Sequence, residues 1–174
     1  MSIDMLIAAD DPRLRTPCID VQPADPAVAG ELRDLHAALS QFRHEHGFGR
    51  AIAAPQLGIM KRMIAMNLGA SPFELINPVI IDSSDEKQTV WDDCLSLPDI
   101  IVQVQRHKTI SIRYLDRDYC THHWNALPDD LAELVQHEID HLDGILMTDR
   151  AIDENSIRPI SEHSKLTGRS NPAD

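Results

Sequence analysis

Val28, Leu32, Leu35, Leu39 and Phe42 recur at alternating steps of four and three residues, with polar residues filling most positions between them. That spacing puts them on one stripe of an amphipathic helix, with Pro26 at its start and Gly47 after its end. A second helical pattern appears late in the chain, where Leu131, Leu134, Val135 and Leu142 share a face. Pro128 suits its first turn, Asp129 and Asp130 favour the positive end of the macrodipole, and Gly144 can close its C-terminus. Between the helices the pattern is that of strands. Arg62 to Asn67, Leu75 to Ile81 with an interruption at Pro78, and Gln88 to Trp91 are short candidates. Ile100, Val102 and Val104 then alternate with Ile101, Gln103 and Gln105, and Ile110, Ile112 and Tyr114 with Ser111 and Arg113. A turn at Asp116 to Asp118 precedes a last strand over Thr121 to Trp124. Strands bracketed by two helices argue for an α+β fold with mostly antiparallel pairing.

The remaining stretches carry weaker patterns. Residues 1–25 mix short apolar pieces with Pro12, Pro17 and Pro23 and read as an extended lead-in. Residues 47–58 are rich in small side chains and include Pro55, which suggests a tight loop whose backbone passes close to something else. They do not form a phosphate-binding loop, because no Gly-Lys-Ser/Thr ending follows. Past Arg150 the apolar content thins. The expectation is one domain over residues 1–160 and a loosely held tail over 161–174, with no repeat and no linker.

Charge and composition narrow the function. The chain of 174 residues has 28 acidic against 16 basic side chains, a net charge of −12, and no basic cluster, which argues against nucleic acid as a partner. No apolar run approaches the roughly 20 residues that span a bilayer. Asp4, Asp10 and Asp11 stand where a signal peptide would be basic and then apolar, so a cytoplasmic location is expected. Cys18, Cys94 and Cys120 are too few and too scattered for a disulfide scaffold and read individually as small buried hydrophobes. His36, His44 and His46 read as solvated histidines on the first helix.

The second helix contains His137-Glu138-Ile139-Asp140-His141. Residues four apart on a helix lie one above the other, so both imidazoles reach one metal ion. Glu138 lies at the same edge, positioned to take a proton from water on that metal. Catalytic sites of this kind usually have a third protein ligand. The extended pattern that continues through a glycine to a third histidine runs as far as Gly144, but Met147 stands in the final position, which excludes that class of metalloprotease in its usual form. Glu154 and Glu162 lie downstream in the weakly patterned end of the chain. Cys94, between two strands and followed by Leu-Ser-Leu-Pro, is the other candidate, since thiolate is a strong ligand for zinc or ferrous iron.

Three motifs together resemble one family. Gly49-x-Ala51-Ile52-Ala53-Ala54-Pro55-Gln56, Asp92-Asp93-Cys94-Leu95-Ser96 and Gln136-His137-Glu138-Ile139-Asp140-His141-Leu142-Asp143-Gly144 are similar to the signature motifs of peptide deformylases, in the family's order. The resemblance covers the chain to about Arg150. It implies an α+β fold with antiparallel sheets packed around a central metal-binding helix. It also implies metal ligands Cys94, His137 and His141, the general base Glu138, and oxyanion donors in the Gln56 amide and the Leu95 backbone N–H. The implied cofactor is one divalent ion, Fe(II) favoured and Zn(II) possible. The implied activity is removal of an N-formyl group from N-formylmethionyl peptides, with release of formate.

Departures from the family pattern gather where the substrate would lie. Ala51 replaces a second glycine, Arg50 replaces an apolar residue, and Asp92-Asp93 replaces Glu-Gly ahead of the cysteine. Asp92 keeps the charge and can pair with Arg106. Glu133 stands one turn before His137, where the family has an apolar residue lining the methionine pocket, and Ile101 stands where a basic residue is common. Arg50, Ala51, Asp93 and Glu133 are therefore the candidate substrate contacts. They point to altered substrate choice, with a different N-formyl or N-acyl amide, including a small formylated one, as the alternative substrate. A non-catalytic metal-binding homologue and a general metallopeptidase are further alternatives. The oligomeric state is not legible.

Overall fold

The computed structural model describes residues 6–47 and 49–167. Helix α1 spans Val28–His46, and Gly47 ends it in the left-handed conformation at φ 76°. Eight strands follow: β1 (Ala51–Ala53), β2 (Met63–Met66), β3 (Phe73–Ser83), β4 (Lys87–Asp93), β5 (Ile100–His107), β6 (Ile110–Leu115), β7 (Thr121–Leu127) and, after helix α2 (Asp129–Leu142), β8 (Ile157–Pro159). A short helix, α3, spans His163–Thr167. All named pairings are antiparallel. One sheet has the order β1-β2-β3-β6-β7 and the other β4-β5-β8, an α+β architecture. No helix among the described residues is long and apolar enough to cross a membrane.

The run Met63-Ile64-Ala65-Met66 lacks any polar alternation because both of its faces are covered. Ile64 and Met66 join Leu75, Ile110 and Ile112 in a core closed by Ala132, Val135, Ile139 and Leu142 of α2. Met63 and Ala65 turn the other way and pack with Val28, Leu32, Leu35 and Leu39 of α1. The period-two geometry of a strand thus feeds two separate cores. Full burial of each large aliphatic side chain contributes about 1.5–3 kcal/mol. Helix α2 also touches β5 of the smaller sheet, so it lies between the two sheets. Its buried apolar residues are Ala132, Val135, Ile139 and Leu142, while Leu131 and Leu134 are only half-buried.

Several sequence expectations change. Residues 51–53 form strand β1, paired with β2 through Ala51↔Met66 and Ala53↔Ile64, and a 3-10 turn over Ala54–Leu57 follows. The small side chains let this strand lie against both α1 and α2. The lead-in is docked: Leu14 is fully buried, and the Cys18 N–H donates to Leu142 O at 2.8 Å. The expected loose tail instead includes α3, with His163 buried, and residues 168–174 lie outside the described part. Cys120 is exposed where burial was expected. His36 is half-buried and lies 3.3 Å from Glu74 Oε2. Pro78 falls within a register shift of β3, beside Asn77 at φ 49°, and the Asn77 side chain bonds both the N–H and the C=O of Val21. The bulge accommodates a residue that cannot donate to the ladder.

Gly144 follows the α2 terminus at φ 74°, and a Cβ there would lie 2.8 Å from the carbonyl carbon of Arg15. Gly144→Ala therefore meets both backbone strain and a backbone wall. Chemical denaturation should show a loss of about 1–3 kcal/mol; an unchanged midpoint and slope would mean that the lead-in is not packed against the helix end.

Candidate active site and metal centre

Helix α2 turns an unusually polar segment inward. Gln136, His137, Glu138, Asp140 and His141 are all buried. Gln136 fixes the helix by bonding both backbone groups of His107, accepting from its N–H and donating to its C=O, each at 2.9 Å. His137 and His141 then meet edge to face one turn apart, with ring centroids 4.9 Å from each other. Cys94 follows the last residue of β4 and is also buried, with its Sγ 3.2 Å from His141 Nε2. One donor atom each from Cys94, His137 and His141 fall within 4.8 Å of one another. Of the three candidates for a third ligand, the fold brings Cys94 to the histidines.

This donor set fits a single zinc or ferrous ion, since two imidazoles and a thiolate from a loop and a helix are a recurring combination. A further observation concerns Glu138. It is buried, and its Oε2 has no hydrogen-bond partner among the described residues. Such an oxygen is costly unless water or substrate meets it.

The surrounding charges set the protonation states. Burial alone would push the Cys94 thiol up, but the neighbouring His141 and His137 override it and hold it well below the usual thiol range. Burial opposes charge on His137 as well, but the hydrogen bond that its ring donates to Asp92 reverses the effect and raises it well above its ordinary value. Burial raises Glu138 beyond what the two histidines can offset. Asp92 holds His137 at Nδ1, 3.1 Å away, which leaves Nε2 of that ring for the metal.

Behind Asp92 lies a chain of ion pairs that sequence reasoning found only in part. Arg106 donates to Asp92 at 2.6 Å, as expected, and also to Asp140 at 2.5 Å. Asp140 in turn accepts from Arg150 at 2.7 Å. Asp140 sits between the two histidines on an inward face of the helix, and that inward charge was its only visible signal. Arg150 gave none.

Gln56 reaches the centre from the 3-10 turn after β1. Its Oε1 accepts from the Ala53 N–H at 2.8 Å, which directs Nε2 toward Ser96 Oγ at 3.1 Å and Cys94 Sγ at 3.9 Å. The Leu95 N–H donates to no backbone carbonyl among the described residues. A cleft of about 410 Å³ opens in front, lined by Arg50, Ala51, Gln56, Asp93, Leu95 and Glu133 as well as by Cys94, His137 and Glu138. All four candidate substrate contacts are thus gathered at one cavity. Asp93 is open to the cleft, yet the surrounding walls desolvate it enough to raise its carboxyl. His163 of α3 also lines the cleft, at a position the sequence patterns did not mark.

Comparison with known proteins agrees with this geometry. A family model described as Polypeptide deformylase matches residues 3–156. A peptide deformylase of Syntrophomonas wolfei is 39% identical over 153 residues, covering 88% of this chain and 96% of its own length. One from Thermotoga neapolitana is 34% identical over 142 residues, covering 80% of this chain and 82% of its own. Among solved structures, the peptide deformylase of Synechococcus elongatus in complex with actinonin superposes with a TM-score of 0.78 at 27% identity, covering 97% of this chain and 88% of that one. That of Thermotoga maritima gives 0.76 at 30% identity, covering 85% and 97%. By the extent of these matches, the chain belongs to the polypeptide deformylase family of hydrolases.

Proposed function

We propose that this protein hydrolyses the formyl amide of N-formylmethionyl peptides and releases formate. The observation that carries the reading is the buried Cys94, His137 and His141 triangle beside Glu138, whose inward oxygen has no partner among the described residues. In this reading Cys94, His137 and His141 hold one divalent ion. Bound there, the ion supplies Lewis acidity and lowers the pKa of water toward neutrality.

The rest of the reaction falls to the protein. Glu138, raised by its burial, takes a proton from the attacking water as the new C–O bond forms at the formyl carbon. It then gives that proton to the amine nitrogen as the C–N bond breaks. The Gln56 amide and the Leu95 N–H receive the charge that develops on the formyl oxygen, and the bond from Ala53 keeps the amide turned the right way. Asp92 holds the ring of His137, and that ring together with Arg106 keeps Asp92 ionised against its burial. The likeness to peptide deformylases points to Fe(II) as that ion, while Zn(II) suits the same thiolate and imidazole donors. A cytoplasmic setting suits a chain whose three cysteines, Cys18, Cys94 and Cys120, are all free thiols. A second reading, hydrolysis of a different N-formyl or N-acyl amide, is favoured by the polar side chains of Arg50, Asp93 and Glu133 in the cleft.

The primary assay is formate release from formyl-Met peptides by protein loaded anaerobically with ferrous iron, and cleavage of peptides that lack a formyl group would reject the reading. Glu138→Gln should lower kcat by about 1,000-fold with the metal content unchanged. Gln56→Ala should cost about 100- to 1,000-fold, carried mainly by kcat, because its amide acts on charge formed in the transition state. Asp92→Asn should weaken metal retention about 10- to 100-fold in a chelator competition. Wild-type retention in that variant would show that Asp92 does not orient the ligand.

A further inference from the structure

Removal of a formyl group needs no charged side chain beyond those assigned above, yet the cleft carries several. The two arginines on its wall are already engaged with other groups. Arg43 donates to Asn67 O at 2.6 Å, and Arg50 lies 3.6 Å from Asp130, outside the cleft lining. Asp93 differs from both. Its carboxylate accepts no hydrogen bond and forms no ion pair among the described residues, although it opens on the cavity immediately beside Cys94. Glu133, one helical turn before His137, adds a second carboxylate to the same lining. His163 of α3 is close by but makes no hydrogen bond to Asp93.

Resting on the deformylase reading, we propose that Asp93 is a specificity-determining residue that selects formylated peptides carrying a lysine or arginine side chain close to the formyl end. An exposed carboxylate on the cleft wall that no protein group hydrogen-bonds is placed to meet a substrate cation through a charge-assisted hydrogen bond, with His137 and His163 acting on it only through space. An acidic side chain at the same place meets repulsion from both Asp93 and Glu133. The net charge of −12 reinforces the choice at longer range by drawing cationic peptides toward the protein.

The test compares formylated tripeptides in which lysine, alanine or glutamate occupies each of the first three positions in turn, at low ionic strength. For at least one position, kcat/KM should rank lysine above alanine by about tenfold and glutamate below it. Asp93→Asn should bring the lysine-to-alanine ratio close to one, whereas Asp93→Glu should keep the ranking. About 0.5 M salt should shrink the preference in the wild type. Binding of the same peptides to metal-loaded Glu138→Gln protein, measured by calorimetry, gives the ranking without turnover. It decides the matter even if Asp93→Asn fails to fold. A flat or reversed ranking in both measurements, or a preference that survives Asp93→Asn, would overturn the proposal. Absence of formate release from every peptide, with the calorimetric ranking intact, would overturn the deformylase reading and leave the cation preference standing.

Discussion

Arg106 carries a positive charge at a place where water cannot solvate it, with only 3% of its side chain exposed. A buried guanidinium is tolerable only when its donors are met by anions in good geometry. Here Asp92 at the end of β4 and Asp140 on α2 meet it, so one side chain on β5 ties the strand preceding Cys94 to the helix carrying both histidines. The triangle of Cys94, His137 and His141 spans these same elements. Loss of Arg106 would leave Asp92 to His137 and Asp140 to Arg150, without the guanidinium that ties the segment before Cys94 to the helix that carries the histidines. The ion pair is therefore better understood as a fixer of geometry than as a source of net stability.

The two main helices were legible because their buried residues keep to the helical period, as in α1 from Val28 to Phe42. The two histidines and the acid beside them were legible because His137, Glu138 and His141 carry their geometry in their spacing. Cys94 stood as one candidate third ligand beside Glu154 and Glu162 until its flanking residues were compared with a family pattern. Three other features stayed hidden for physical reasons. Strand β1 has only three residues, all apolar and all buried, so no alternation survives to mark it. Strand β8 is wholly exposed and owes its form to the edge of β5, not to its own side chains. Helix α3 buries a histidine where sequence patterns look for an aliphatic residue.

Buried charge was the least legible feature. Glu74 lies within an otherwise apolar stretch of β3 and is 4% exposed. Its partners are Arg117, which donates at 2.5 Å from the turn between β6 and β7, and His36 on α1. Neither is near it in the chain. Asp140 and Arg150 follow the same rule, since such residues acquire partners only after the sheets and helices have come together. A one-dimensional pattern reports the faces of an element well and reports long-range ion pairs hardly at all.

The docking of Cys18 onto Leu142 bears on how the molecule assembles. The lead-in reaches its place only when the end of α2 exists, and the catalytic centre draws on the 3-10 turn at Gln56, the loop at Cys94 and the helix at His141. These segments lie far apart in the chain, so closing the centre is a high-contact-order event that follows pairing of both sheets. During synthesis, Gln56 and Cys94 leave the ribosome well before His137 and His141, and the full ligand set exists only after most of the polypeptide has been made. If the triangle holds the proposed ion, capture by all three donors must therefore wait until His141 has been made.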